Sequence, residues 1–464
     1  MNRQLPPQAV PVDDPAHVHD FIAVGVGPFN LGLACLTATV EGLDGLFLDA
    51  RAGFDWHPGL MFEDATLQTP FLSDLVTLAD PTHPLSFLNY IKQQGRIYSF
   101  YIRENFFLLR REYNHYCQWA ARQLPAIRWN TCVEAVRHEQ GAYVLEARDS
   151  LSGASRRFRA RRLVLGTGPA PWWPACCDGL VREASHVHHA GDYLNRRARL
   201  QGLRRLTVIG SGQSAAEVFI DLLQEIDRHD YTLNWVTRSP RFVPLEYTKL
   251  TLEMTSPEYV RYFHALPPPT RDALIASQTN LYKGINGSLI DAIFDLLYQK
   301  RLVFDARGED LSARVRVLSN SELRAAAQAA DGIRLGLHHA EQGQDFALAT
   351  DGLILATGYR YRPPAFLDGI RDRLRFDAAG RFEVKANYSI DATGSEVFVQ
   401  NAELHTHGFV TPDLGMACYR NSQLIRSLSG VAHYPIEERI AFQEFGVPAA
   451  LADAGRPALR QVAP

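Results

Sequence analysis

Phe21-Ile22-Ala23-Val24-Gly25-Val26-Gly27-Pro28-Phe29-Asn30 joins a short apolar strand to a glycine turn, and the apolar run Leu31 to Leu36 that follows has the character of a helix. The first glycine permits a tight turn and the second lets a pyrophosphate approach the backbone. The helix N-terminus offers N–H donors and partial positive charge. Asn30 stands where a third glycine is usual. The next apolar strand, Gly45 to Leu48, ends at Asp49, about 20 residues on, where a carboxylate accepts from a ribose hydroxyl.

The same grammar recurs. Leu206-Thr207-Val208-Ile209 leads into Gly210-Ser211-Gly212-Gln213-Ser214-Ala215, with Ala215 small enough for close helix–strand packing. The following strand closes on Trp235-Val236-Thr237-Arg238, with Arg241 nearby and no ribose-binding acid. A planar guanidinium suits a 2′-phosphate, so NADPH is expected over NADH. A third apolar strand starts at Asp351 and ends in Ala356-Thr357-Gly358-Tyr359, read as a linker back to the first domain. Helical spacing marks Tyr113 to Gln123, Ser214 to Ile226 and Ser288 to Tyr298, and strand-like runs lie at Tyr143 to Ala147 and Arg162 to Leu165. The proline-bearing stretch Pro244 to Pro269 is expected to be irregular. Strands alternating with helices imply parallel sheets covered on both faces, and two glycine turns far apart imply two of them.

The bulk properties narrow the function classes. With 464 residues the chain is long enough for two or three domains. A net charge of −3 argues against a nucleic-acid binder. There is no apolar run of membrane-spanning length and no secretory signal pattern at Met1 to His19. Six cysteines without a C-x-x-C pair point to a reducing, cytoplasmic setting and to neither a redox disulfide nor a zinc ribbon. His186, His188 and His189 suit a strand or loop better than a metal site, and no metal is expected.

Taken together, Gly25-Val26-Gly27-Pro28-Phe29-Asn30-Leu31, Phe54-Asp55-Trp56-His57-Pro58-Gly59, Leu67-Gln68-Thr69-Pro70-Phe71-Leu72, Gly210 to Glu217, Ala356 to Tyr359 and Thr406-His407-Gly408 resemble the microbial N-hydroxylating flavin monooxygenases of siderophore biosynthesis. That family includes lysine, ornithine and diamine N-monooxygenases. The resemblance runs from Asp20 to about Ser429. It implies an α/β protein with two Rossmann-like dinucleotide-binding domains, for FAD and NADPH, and a smaller, mainly helical substrate lobe. The expected bounds are 19–200 for the first part of the FAD domain and 201–350 for the NADPH domain, with the lobe at about 241–300. The return to the FAD domain spans 351–449, and 1–18 and 450–464 are flexible tails. The implied chemistry is reduction of FAD by NADPH, addition of oxygen at flavin C4a, and attack of a neutral amine on the hydroperoxide. The flavin carries the hard chemistry while the protein supplies position, dryness and charge.

By resemblance, Trp56, His57 and Gln68 line the flavin, Pro412, Asp413 and Leu414 close over it, and Val133 contacts its adenine half. Ser211, Gly212, Gln213, Ser214 and Arg238 hold NADPH, and Asn280, Leu281 and Tyr282 approach the nicotinamide ribose and the substrate. Gln68 and Asn280 are the candidate catalytic residues. The amino-acid hydroxylases carry a lysine in a Phe-Leu-Lys-Asp-Leu run to pair with the substrate carboxylate. Here the run is Phe71-Leu72-Ser73-Asp74-Leu75, and Gly415 stands where a serine is frequent. Burying an unpaired carboxylate is costly. A short diamine, putrescine or cadaverine, is therefore the expected substrate, with Glu246 or Glu253 expected to hold its distal ammonium. Lysine or ornithine N-hydroxylation is the alternative, and a non-catalytic dinucleotide-binding redox sensor is the alternative of another class. Expected partners are the amine and O2, with neither nucleic acid nor membrane, and a homo-oligomeric state, dimer or tetramer.

Overall fold

The structure is a computed structural model, and it describes Leu5 and residues 14–452. The tails assigned at 1–18 and 450–464 fall mostly outside these residues. Two sheets dominate. In the first, Ile127–Arg128, Gly45–Leu48, Val18–Val24 and Ser155–Leu165 run parallel, with Val397–Val399 added alongside Ser155–Leu165. The hairpin Thr131–Glu139 and Ala142–Asp149 extends this sheet antiparallel. The second sheet is parallel throughout, in the order Val187–His189, Gly352–Leu355, Arg205–Ile209, Thr232–Val236, Val315–Leu318. Both sheets bury Val, Leu and Ile on both faces, as covered parallel strands require.

The sheets exchange the chain at Ala170–Pro171 and Tyr359–Arg360, which pair antiparallel. The crossover therefore lies near 170 and 360, not at 200 and 351. Val187–His189 and Gly352–Leu355 hydrogen-bond into the second sheet and so belong to it. The lobe is also narrower than 241–300. Its helices are Lys249–Leu252, Pro257–Ala265 and Pro268–Ser277, and Tyr259, Val260 and Phe263 pack on Phe409, Val410 and Met416 of the returning chain. The long helix Gly287–Ala306 instead buries Ile293 and Phe304 in the core of the second domain. A three-stranded antiparallel sheet, Ser321–Ala329, Gly332–His339 and Gln344–Thr350, was not anticipated. Its first strand is alanine-rich, a composition that favours helix. Burial of Leu323, Ile333, Leu335 and Leu337 against the second sheet overrides that preference.

Both glycine turns are crowded by the end of the neighbouring strand. Gly25 has φ +86°, and a Cβ there would stand 2.6 Å from the Gly166 carbonyl oxygen. Gly210 has φ +144°, and its Cβ would overlap the carbonyl oxygen of Ala356. Only glycine satisfies such a backbone approach at positive φ. The Ala356-Thr357-Gly358-Tyr359 stretch is thus the wall on which the second glycine turn rests, as well as a linker.

The two domains are joined by a buried ion pair. Arg110 Nη2 lies 2.7 Å from Glu217 Oε1 and Arg110 Nη1 lies 3.0 Å from Oε2. The two side chains are only 11% and 6% exposed. Arg110 opens the helix Arg110–Ala121 of the first domain, and Glu217 sits on Gln213–Gln224 of the second. Removing one member of a buried pair strands the other charge at a cost of about 3–5 kcal/mol. Glu217→Leu is therefore expected to lower the melting temperature sharply in calorimetry, whereas Arg110→Met with Glu217→Leu restores much of it. A Glu217→Leu protein that melts like the wild type would contradict this role.

Candidate functional site

A cavity of about 2280 Å³ opens between the two sheets at the carboxyl ends of their strands. Ligands bind at this position in open α/β sheets. The volume exceeds the roughly 300–1,000 Å³ of a pocket for one small ligand, so it has room for more than one extended molecule. Gly25, Gly27, Pro28, Phe29 and Asn30 form one wall, and Asp49, Trp56, His57, Gln68 and Val133 continue it. Ser211, Gly212, Gln213, Ser214 and Arg238 line the second domain's side, with Tyr282, Pro412 and Leu414 at the edge. Asn280, Leu281, Ser73, Asp413, Gly415, Glu246 and Glu253 are not on this wall.

On the first side the residues fit a dinucleotide. Gly27 caps the helix Pro28–Thr37, and a Cβ there meets nothing within 4 Å, so the turn faces open cavity where a pyrophosphate needs space. Asn30 is not an idle substitute for glycine. It is buried, its Nδ2 donates to the Gly25 carbonyl at 2.7 Å, and its Oδ1 accepts from Gln400 at 2.6 Å. The turn is thereby tied to the strand Val397–Val399. Asp49 departs from expectation, because its carboxylate accepts from the Val26 N–H at 2.7 Å and from the Arg51 N–H and guanidinium at 2.8–2.9 Å. Burial pushes its pKa up, but Arg51 and these N–H groups outweigh it and hold the carboxylate below its usual range. A ribose hydroxyl must share or displace Arg51. That side chain carries no apolar pattern to reveal it in the sequence.

His57 sits at φ +51° beneath Trp56, with ring centroids 4.8 Å apart. Its ring retains surface toward the cavity while protein closes round the rest. Desolvation, aided by the Arg110 charge, pushes its pKa down to about 4, so it is neutral at physiological pH. Gln68 is held in place: its Nε2 donates to Asn286 Oδ1 at 2.9 Å and approaches the Gly284 carbonyl at 3.4 Å. Asn286 N–H donates to Gln213 Oε1 at 2.9 Å, and Gln213 Nε2 donates to Glu217 Oε1 at 2.9 Å. A polar chain thus runs from Gln68 to the interdomain ion pair, and the Gln213 amide is committed to it at both ends.

The second side fits a phosphorylated nucleotide. Arg238, Lys283 and Arg360 all line the cavity, and among the described residues none of the three has an ion-pair partner. Burial lowers the Lys283 pKa, and the Arg360 and Arg238 charges lower it further. Arg360 is flattened on Trp172 at 3.9 Å. Like charges brought together without a counter-ion call for an anion. Lys283 and Arg360 escaped the sequence reading because each lies far along the chain from the glycine turn.

Glu253 does not face the cavity. Its carboxylate accepts from the Phe442 and Gln443 N–H groups at 3.0 Å and from Gln443 Nε2 at 2.9 Å, at the exposed outer end of the lobe. The sequence expectation for Glu253 is therefore corrected. Glu246 stays half-buried, with its N–H on the Asn280 carbonyl at 3.0 Å. Ser73 and Gly415, singled out separately, do meet: a Cβ on Gly415 would stand 3.2 Å from Ser73 Oγ. The only described grouping with ligand-like spacing for a metal is His17, His19 and Asp44 at the opposite end of the first strand, hydrogen-bonded together.

The cation cluster makes a direct prediction. A contact between a cation and phosphate is worth ~1.5–3 kcal/mol, which is about 10- to 100-fold in affinity. Arg238→Ala and Lys283→Ala should each raise the KM for NADPH by that order and leave the KM for NADH nearly unchanged in steady-state kinetics. Equal effects on both nucleotides would remove the 2′-phosphate from this cluster.

Comparison with known proteins places the chain. Residues 17–361 match the model of the L-lysine 6-monooxygenase/L-ornithine 5-monooxygenase family. A cadaverine monooxygenase of desferrioxamine biosynthesis from Erwinia amylovora, solved bound to FAD, is 56% identical, with a TM-score of 0.89 over 93% of this chain and 99% of that one. The alcaligin biosynthesis enzyme of Bordetella pertussis is 50% identical over 96% of this chain and 95% of its own length. A putrescine N-hydroxylase of Shewanella oneidensis is 49% identical over 95% of this chain and 86% of its own. The chain belongs to the L-lysine 6-monooxygenase/L-ornithine 5-monooxygenase family.

Proposed function

We propose that this protein uses FAD and NADPH to hydroxylate one amino group of a short aliphatic diamine, as a step toward a hydroxamate siderophore. The overall reaction balances as amine, O2, NADPH and H+ giving hydroxylamine, water and NADP+. The observation that carries the substrate class is the juxtaposition of Ser73 and Gly415, which leaves no cation where the amino-acid hydroxylases hold a carboxylate. Relatives named for putrescine and cadaverine support the same reading.

When bound, FAD supplies the oxygen-activating chemistry and NADPH its electrons. The chain's own residues do the rest. The glycine turns and their helix N-termini cradle the two pyrophosphates, and the cations at 238, 283 and 360 take the 2′-phosphate. The Arg110–Glu217 pair and the Gln213–Asn286–Gln68 chain fix the distance between the two halves. Gln68 presents an amide to the cavity whose position is held by Asn286. His57 stays neutral and adds no charge there. Desolvation on entering the cavity lowers the pKa of the reacting amine and so favours its neutral, nucleophilic form.

The six cysteines among the described residues are unpaired, which suits the reducing cytoplasm where NADPH is maintained. No described helix is long and apolar enough to cross a membrane. Homo-oligomerisation belongs to this reading as well. Phe294, Tyr298 and Leu302 form an outward stripe on Gly287–Ala306, exposed by 69%, 60% and 54%, and a second copy would cover it.

The test is hydroxylamine formed from putrescine, cadaverine, ornithine and lysine at saturating NADPH. Burying the extra carboxylate unpaired costs several kcal/mol, and each ~1.4 kcal/mol is tenfold. A diamine should therefore exceed either amino acid in kcat/KM by about 100-fold or more. Equal or better turnover of ornithine or lysine would contradict the proposal.

A further inference from the structure

We propose that Asp413 is the anion that receives the distal ammonium of the diamine, with Ser73 and Gly415 shaping the place beside it. This inference rests on the diamine reading above. It moves Asp413 from the flavin cover, where resemblance put it, to the substrate.

Two segments far apart in the sequence converge, one carrying Ser73 and the other Asp413 and Gly415. A Cβ on Gly415 would lie 3.2 Å from Ser73 Oγ and 3.3 Å from Asp413 Oδ1. The Gly415 N–H donates to Asp413 Oδ1 at 2.8 Å, and the Asp413 N–H closes a turn on Val410 O at 3.1 Å. Asp413 therefore stands on a short, held loop. Its neighbours Pro412 and Leu414 face the cavity, so the carboxylate lies one residue from the wall.

The carboxylate lacks a counter-charge. Among the described residues that Gly415 N–H is its one hydrogen bond, and no Lys, Arg or His lies within ion-pair distance. The charge of Arg420 does influence it, but Arg420 is committed elsewhere: it pairs with Glu403 at 3.1 Å and donates to Thr411 O at 2.6 Å. Burial raises the Asp413 pKa, with the Gly415 N–H and Arg420 opposing. The residue as a whole is nonetheless only half-buried, which leaves a small cation a way to it. Tyr247 lies near enough to feel its charge, and Phe107 packs on Tyr247 with centroids 5.9 Å apart. An ammonium brought here gains a carboxylate, the Ser73 hydroxyl as a second acceptor, and an aromatic flank.

The same carboxylate acts against amino acids. Ornithine or lysine would bring a second anion against Asp413, and like charges at short range repel. Selectivity then has a repulsive element as well as a missing attraction. Of the carboxylates expected to serve, Glu253 is bound at the outer end of the lobe.

The test compares each diamine with the monoamine of the same chain length, which lacks the distal ammonium. In the FAD-loaded enzyme, Asp413→Asn should reduce kcat/KM for cadaverine by about 30-fold, or ~2 kcal/mol at about 1.4 kcal/mol per factor of ten, chiefly through KM. Pentylamine turnover should change little, so the diamine-to-monoamine ratio collapses. Asp413→Glu keeps the charge and should retain most of that ratio, which separates anion loss from a disturbed loop. An unchanged ratio in Asp413→Asn overturns the proposal, as does a collapse seen with Glu246→Gln instead. If the wild type hydroxylates no diamine at all, it is the diamine reading that has failed.

Discussion

A buried ion pair between two domains is the constraint on which this molecule turns. Arg110 and Glu217 belong to different domains, yet they meet at 2.7 Å with both side chains largely buried. Apolar packing reinforces the contact: Leu60, Phe62 and Ala65, from the first half of the chain, bury themselves in the core of the second domain. With the halves so held, the carboxyl ends of both sheets face one shared cavity. A hydride donor and its acceptor in such a cavity need no large search for each other, and orientation of this kind removes much of the entropic barrier of a bimolecular step. The Gln213–Asn286–Gln68 chain carries the same constraint to the reacting region, so the positions of a side chain on one domain and a helix on the other are set together.

Charge is unevenly spread over the site. The cavity wall gathers Arg238, Lys283 and Arg360 without counter-ions among the described residues. Behind Pro412 and Leu414 lies the carboxylate of Asp413 without a cation. The cluster of cations suits an anionic nucleotide, and the lone carboxylate suits a cationic amine. The cavity wall also carries the neutral His57 and the amide of Gln68. Such uncharged groups suit an amine that must lose its proton before it reacts.

Much of this was legible in the sequence, for physical reasons. Glycine turns announce themselves because no other residue tolerates φ +86° against a neighbouring carbonyl, and continuous apolar runs mark strands covered on both faces. Gly45 to Leu48 is legible as a strand with the bounds that the structure has. What escaped notice depends on chain folding at long range. Arg51 on Asp49, Lys283 and Arg360 beside Arg238, and Arg110 against Glu217 become partners only when segments meet. The alanine-rich strand Ser321–Ala329 follows tertiary burial rather than propensity. Ser73 and Gly415 were each recognised as departures from an amino-acid site, yet their contact, and the carboxylate of Asp413 beside both, exist only in three dimensions.

The central claim is that charge at this small junction selects the substrate, and Ser73→Lys tests it most directly. A lysine there would reach for the Asp413 carboxylate and place a like charge beside an arriving ammonium. Steady-state kcat/KM for cadaverine should fall by about tenfold or more, each tenfold being ~1.4 kcal/mol, with flavin content and the KM for NADPH held. A Ser73→Lys enzyme that handles cadaverine as the wild type does would show that the distal ammonium binds elsewhere, and would contradict the account.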